Sequence, residues 1–531
     1  MIPASAMPLT QNIYKNLKPR INQPEEIMAI TRKDIIYFII TDRFYGIENQ
    51  KPEVKQKINK DNPFFYHGGN FDGIIEKIPY LKNLGITALW ITPVYRQIDL
   101  ETAHGYHGYW ALDFNAVNPV LYIDNGHYLP GSKYYLRDLV DRLHMNGIKL
   151  ILDVVVNHTG YRHPGIFDSL DNPTPICSSW FNRMNISLET SETEGQLSGL
   201  PDMDLDLPDV CDYHTETILS WLRETGVDGI RMDTVKHVER NFWTYFKTQV
   251  KGQFPGVTLL GEVLVFDIDN LSQYQKYDAI DQLFDFPMQN AIKNVFVYDH
   301  GMTDFISPYN IGTGILERDR SYSNHNQLVT LLDNHDLSAR FMTWILDRQA
   351  GDYRKATDVM KLTLTFLFTI RGIPQIYYGT ELGLEGHSDP DNRRDFPWEK
   401  LNADYEVKTE YSHEKEIYDH TRKMISIRRS NDALSSGYFV CLYVDYFLMI
   451  FLRYVEDNIV IAGFHNGWLD MPSEVIIDIG HNPDLPRRIR EKLSDATLVS
   501  LLDNQLHPIR EGKLKIRLGK KSAIILTIKN Q

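Results

Sequence analysis

From Asp34 onward the chain alternates short apolar runs with amphipathic stretches. "DIIYFIITDRF" is nearly continuous in apolar residues and ends in polar ones, the pattern of a strand covered on both faces. "FDGIIEKIPYLKNLG" repeats its apolar positions at helical spacing and stops at Gly85. A strand "ITALWITPV", a helix "YYLRDLVDRLHMNG" stopped by Gly147, and a strand "IKLILDVVVNH" follow. This β-α-β-α-β rhythm predicts a parallel sheet with right-handed crossovers.

The rhythm breaks after His158. Residues 158–211 are rich in Gly, Pro, Asn and Ser, and the next clear helical pattern is "VCDYHTETILSWLRETG". A stretch that long is expected to be functional or a small inserted subdomain. Alternation resumes with "VDGIRMD", "VTLLGEVL", a weaker strand near Asp278–Phe284, "QLVTLLDNHD" and "IPQIYYGTE". These bring the strand count to eight and favour an α/β fold of the closed (β/α)8 TIM-barrel type over an open doubly wound sheet. No G-x-G-x-x-G follows the first strand, which weighs against a dinucleotide fold. Past residue 435 the texture changes to short β-rich runs without helices between them, "EVIIDIG", "KLKIRLG" and "SAIILTIK" among them. They predict an antiparallel β-sandwich. The expected organisation is an N-terminal extension over 1–33, a barrel over 34–157 and 212–434, an insert over 158–211, and a C-terminal sandwich over 435–531.

The composition of the 531 residues, 43% hydrophobic and 24% charged, is that of a soluble globular protein. No apolar run reaches the roughly 18–20 residues of a membrane span. The formal net charge of −14 disfavours nucleic acid and anionic membranes and is indifferent to neutral sugars. Cys177, Cys211 and Cys441 are widely spaced and imply neither a disulfide framework nor a thiolate metal site. The first twenty residues lack a basic-then-apolar leader, so a cytoplasmic location is expected. Nothing in the sequence indicates an oligomeric state.

In a (β/α)8 barrel, chemistry sits at the C-terminal ends of the strands. Here those ends carry Asp153 with Asn157 and His158, then Arg231 and Asp233, then Glu262, then Asp333 with Asn334-His335-Asp336. One carboxylate at a strand end is ordinarily a helix cap or an ion-pair partner. Several on one rim, with His158, Arg231 and His335, are hard to explain as capping. Like charges brought together push pKa values apart, as active sites require. Two carboxyls so separated suit glycosidic bond cleavage. In "GIRMDTVKHV", strand alternation puts Arg231 and Asp233 on one face, where the guanidinium is expected to keep Asp233 ionised. Glu262 stands in an apolar context, "LLGEVLV", which would raise its pKa and suit a general acid.

With these residues assembled, the chain resembles the α-amylase family of glycoside hydrolases (family 13) over roughly residues 34–400, with that family's usual sandwich behind it. The ordered motifs are "DVVVNH" at 153–158, "LPDMD" at 200–204, "GIRMDTVKHV" at 229–238, "GEVL" at 261–264 and "LLDNHD" at 331–336. "GITALWITPV" and "GIPQIYYGTE" flank them. The resemblance implies that Asp233 is the nucleophile, Glu262 the general acid/base, and Asp336 the third carboxylate that grips sugar hydroxyls. It implies that His158 and His335 bond the sugar at the cleavage point and that Arg231 positions the nucleophile. "YHGYW" is similar to the segment supplying His107, a stacking platform in Tyr109, and Trp110 one sugar further out. Lys236 and His237 match the pair lining the first sites on the reducing side. Asp389 and Arg393, in "DPDNRR", match the pair holding a distal sugar on the non-reducing side.

The family resemblance further implies a structural Ca²⁺ between barrel and insert, on Asn157, Asp202 and the carbonyl of His237. Oxygen ligands from separate segments suit that ion. A second ion found in some relatives after "DRF" is not expected, because "DRFYGIENQKPE" departs from their pattern. The implied activity is retaining hydrolysis of α-1,4-glucosidic bonds in starch, glycogen or maltooligosaccharides. "TVKHV" and "LPDMD" resemble α-amylases and cyclodextrin glucanotransferases, whereas "DPDNRRDFPW" resembles the maltogenic and cyclodextrin-hydrolysing side. The alternative is therefore a cyclomaltodextrinase, a neopullulanase or a transglycosylating glucanotransferase.

Overall fold

A computed structural model describes residues 27–48, 51–277, 280–469 and 473–529. Most of the expected N-terminal extension, and Asp278 of the expected sixth strand, lie outside the described residues. Eight parallel strands close into a barrel: β1 (Ile36–Ile39), β2 (Ala88–Ile91), β3 (Lys149–Val154), β4 (Gly229–Met232), β5 (Thr258–Gly261), β6 (Gln282–Phe284), β7 (Leu328–Leu331) and β8 (Ile373–Tyr377). Each pairs with its sequence neighbour, and β8 closes on β1 with Ile36 opposite Gln375. The strands are short and buried almost throughout, which is why their sequences read as apolar runs and not as alternations.

The expected helix over 71–84 is broken. It runs as Phe71–Glu76 and then Ile78–Leu84, with Lys77 non-helical between them. Pro79 explains the break: it lacks an N–H and is tolerated only in a first helical turn, so a new helix starts there. The expected stop at Gly85 is present. Its φ is 95°, and a Cβ there would lie 2.8 Å from Ile425 Cγ2, so both conformation and space require glycine.

Between β3 and the helix Pro208–Thr225 the chain forms only single 3₁₀ turns, held by bridges such as His158 to Asp202 and Phe181 to Met203. That helix starts at Pro208, a residue suited to a first turn.

The C-terminal strands are β9 (Tyr438–Val444), β10 (Leu448–Val455), β11 (Asn458–His465), β12 (Ser473–Asp478), β13 (Thr497–Ser500), β14 (Leu506–Arg510), β15 (Lys513–Leu518) and β16 (Ser522–Ile528). They form one antiparallel sheet in the order β9-β10-β11-β16-β13-β14-β15-β12. The start of β14 pairs with β13 and its last two residues with β15, so the sheet turns a corner and its two halves face each other. Ile450, Leu452 and Ile461 then meet Ile477, Leu514 and Ile516 in one core. The alternate residues Met449, Phe451, Val460, Ala462 and Phe464 face the other way and belong to the barrel's own core. One correction is needed: a helix, Arg487–Leu493, stands among these strands, where none is expected. Only Ile489 and Leu493 of its seven residues are buried, too few to give a clear period.

Candidate active site

The strand ladder itself places the catalytic candidates. The N–H of Asp233 donates to the Val154 carbonyl at 3.0 Å, and that of Glu262 to the Met232 carbonyl at 3.0 Å. Both acids thus sit one residue past the end of a strand, on backbone still tied to the neighbouring strand. Thr234 then adopts φ 47°, a strained conformation for a β-branched residue, and turns the chain sharply.

Arg231 is fully buried beneath these acids. Its Nη1 donates to Asp153 Oδ1 and to Asp233 Oδ1, both at 2.7 Å. Its Nη2 lies 2.7 Å from Glu262 Oε2, although the angle there is not that of a hydrogen bond. Asp153 is held from its other side by Tyr109 Oη at 2.9 Å and Trp90 Nε1 at 3.2 Å. The guanidinium also lies 5.2 Å from the Trp90 ring centroid, a favourable cation–π distance.

One cation cannot neutralise three buried carboxyls. Burial pushes Asp153 up to about 7, even against Arg231. Burial likewise raises Asp233 well above the usual carboxylate range, with Arg231 the largest opposing influence and Glu262 and Asp153 adding to the rise. Glu262 is raised by burial, opposed by Arg231, and raised further by Asp336. Arg231 thus acts on Asp233 in the expected direction, and it opposes the rise in all three acids, Asp153, Asp233 and Glu262.

A cleft of about 570 Å³ opens over these groups. Asp233, Glu262, Asp336, His107, Tyr109, Trp110, His158, Lys236, His237, His335, Asp389 and Arg393 all line it. Arg231 lies below its floor. Burial drives His107 and His335 well below the usual imidazole range and His158 down to about 4, so the three rings are neutral. The Nε2 atoms of His158 and His335 are buried without a hydrogen-bond partner, available to a ligand hydroxyl. The His335 Nε2 does lie 3.3 Å from Asp336 Oδ2, but not in hydrogen-bonding geometry. Arg393 ties the far end of the cleft to its centre, at 3.3 Å from both Asp389 Oδ1 and Asp336 Oδ1.

Several lining residues escape sequence reasoning. Tyr161, Leu188, Leu197, Ser198 and Leu200 come from the insert and wall one side of the cleft. Tyr161 meets Trp110 edge-on at 5.2 Å. Only Leu200 carried a signal, as the first residue of "LPDMD". Asp333, by contrast, turns away and accepts from Phe341 N–H and Thr380 Oγ1.

The residues expected to hold calcium lie where the insert joins the barrel. Asn157 accepts from Met203 N–H at its carbonyl, and its side-chain amide lies 3.3 Å from His158 Nδ1. Asp202 is buried and its Oδ1 has no partner. Burial and the charge of Glu239 push it up to about 8. An orphaned, buried carboxylate oxygen fits a hard cation. Among the described residues no three acidic, His or Cys side chains form a cage by themselves. An ion here would need amide and carbonyl oxygens as well, as the expected set provides.

A sequence profile for the alpha amylase catalytic domain matches residues 38–437. The chain belongs to the α-amylase family. Its relatives include a beta/alpha-amylase of Paenibacillus polymyxa, 31% identical over 96% of this chain, which spans 39% of that protein. A cyclomaltodextrinase of Thermoanaerobacter pseudethanolicus is 31% identical over 81% of this chain and 70% of its own length. Among solved structures, the Anoxybacillus alpha-amylase aligns with a TM-score of 0.77 at 32% identity, over 94% of this chain and 98% of that one. This family member is thus a glycoside hydrolase built on the barrel, and no helix among its described residues is long and apolar enough to cross a membrane.

Proposed function

We propose that this chain is a retaining hydrolase of α-1,4-glucosidic bonds, acting as an α-amylase on starch, glycogen or maltooligosaccharides. The observation that carries the reading is Arg231, in contact with both Asp233 and Glu262 beneath a cleft lined by neutral histidines and Tyr109. In this reading an Asp233 oxygen attacks the anomeric carbon while Glu262 gives its proton to the glycosidic oxygen. The aglycone leaves and a glycosyl ester forms. Glu262, now a base, takes a proton from water, which displaces Asp233 and restores the starting configuration. His107, His158, His335 and Asp336 bond the sugar hydroxyls, and the Tyr109 ring takes the sugar face.

Two observations favour a second reading, a cyclomaltodextrinase or a related transglycosylating enzyme: the similarity to the Thermoanaerobacter protein, and Asp389 and Arg393 of "DPDNRRDFPW" in the cleft. Maltoheptaose, soluble starch and β-cyclodextrin incubated in parallel separate the two. A spread of short products from starch supports the α-amylase. Rapid ring opening with starch nearly untouched moves the assignment to cyclomaltodextrinase. Products longer than maltoheptaose indicate a transferase.

The proposal includes a structural Ca²⁺ held by Asn157, Asp202 and the His237 carbonyl. The ion would supply positive charge that fixes the insert against the loop carrying Lys236 and His237.

A further inference from the structure

The charge gathered around Asp202 exceeds what one amide and one main-chain carbonyl account for. Asp202 is 2% exposed, its Oδ2 accepts from Asn182 Nδ2 at 2.8 Å, and its Oδ1 has no partner. Glu239 stands two residues past His237, at the N-cap of the helix Arg240–Gln253. A side chain there ordinarily accepts from the first N–H groups of its helix. Glu239 makes no such bond. Its carboxylate is turned toward the insert, where Thr193 bonds it, and its Oε2 is shut away from solvent without a partner. The charge of Glu239 acts on Asp202, and Asp204 acts on both.

Two carboxylates, one on the insert and one on the loop after β4, thus each end in a buried oxygen that nothing donates to, and the charge of Glu239 reaches Asp202. Asp202 comes from the insert, whose backbone pairs with His158. Glu239 comes from the loop after β4. Leaving one such acceptor unsatisfied costs about 1–3 kcal/mol, and like charges add to it. A cation between them removes both costs.

We propose that Glu239 is a carboxylate ligand of the Ca²⁺ ion, so that acids from both the insert and the barrel hold it. This rests on the calcium site of the reading above and adds to it a residue that neither the motifs nor the expected ligand set contains. The ion then bridges the segment of Asp202 to the turn that carries Lys236 and His237, and its affinity depends on a barrel residue outside the insert.

The test uses the full chain stripped with a chelator and titrated calorimetrically with Ca²⁺ alone. Wild type is expected to bind one ion, and Glu239→Gln to bind it about 10–100-fold more weakly. Thermal melts give a second, opposite signature. In chelator, Glu239→Gln should melt above wild type, because a repelling charge is gone. With Ca²⁺, its stabilisation should be smaller than that of wild type. Glu239→Asp keeps the charge and shortens the reach; it too should bind Ca²⁺ more weakly, and it serves if the Gln variant does not fold. Equal Ca²⁺ affinity in wild type and both variants would overturn the assignment, as would a wild type that binds no Ca²⁺. Starch turnover is measured separately, so loss of the ion and loss of the α-amylase reading are distinct results.

Discussion

Arg231 touches three acids with one guanidinium, so its removal strands all of them. On the proposed reading, Asp233→Asn removes the attacking group and keeps the shape, so it should lower turnover by about 10⁴-fold or more while leaving circular dichroism unchanged. Asp153→Asn is subtler. Asp153 bonds Arg231 below the cleft floor and Tyr109 in the cleft, so its loss should lower kcat by roughly 10–100-fold through a looser Arg231, with KM little changed. It also makes a stability prediction with a definite sign. An acid whose folded pKa is raised binds its proton more tightly when folded, so its contribution falls as pH rises from its unfolded value near 4 to about 7. Asp153→Asn should therefore gain on wild type in melting temperature across that window, by the equivalent of about 2–4 kcal/mol at most. The acids, Arg231, His158 and His335 were legible in the sequence because strand ends in a barrel face one rim, whereas His107 and Tyr109 were legible only through the family resemblance of "YHGYW". The upward shift of the acids was not legible, because it depends on burial of the whole group, which no motif encodes.

At the scale of elements, the helix Tyr353–Thr369 ends without a conventional cap and is served by two buried arginines. Arg428 donates to the carbonyls of Phe368, Ile370 and Gly372, and Arg453 to those of Thr369 and Gly437. Burial and mutual repulsion push Arg428 down to about 9, and burial with Arg371 does the same to Arg453. Both remain cationic at neutral pH, where the carbonyls at a helix C-terminus favour positive charge. Arg428→Met keeps much of the volume and abandons three acceptors, so it should destabilise by about 3–5 kcal/mol in urea unfolding. The sequence reading names no element over this helix. Its C-terminal end is completed by residues more than fifty positions away, and local signals contain no trace of them. The eight barrel strands were readable for the opposite reason. Most are apolar runs followed at once by polar residues, and the exception, β6 with Gln282–Phe284, was the weakest in the sequence. The insert lay between these cases: its extent showed as a loss of rhythm, but its cleft residues Leu188 and Leu197 have no period to announce them.

For the whole molecule, the insert meets the barrel in several places, among them the bonds of Gly160 N–H to the Ala111 carbonyl, of His163 Nε2 to the Leu112 carbonyl and of His237 Nδ1 to the Glu192 carbonyl, and the cleft. Chelation should lower the melting temperature and open residues 158–207 to limited proteolysis well before the C-terminal sheet is cut, which gel electrophoresis of timed digests would show. Untouched digestion patterns after complete removal of divalent ions would mean that hydrogen bonds such as Asn182 to Asp202 hold the insert unaided.

The C-terminal sheet has a different relation to the barrel. Phe451 and Phe464 lie in the barrel's core, and Phe366 of the helix Tyr353–Thr369 meets Phe464 at 5.4 Å. A gene truncated at codon 434 would therefore not yield a smaller working enzyme. It would yield a barrel with a greasy, unpaired flank, and that flank would drive it into inclusion bodies. The sheet is thus a wall of the barrel's own core and not a detachable appendage.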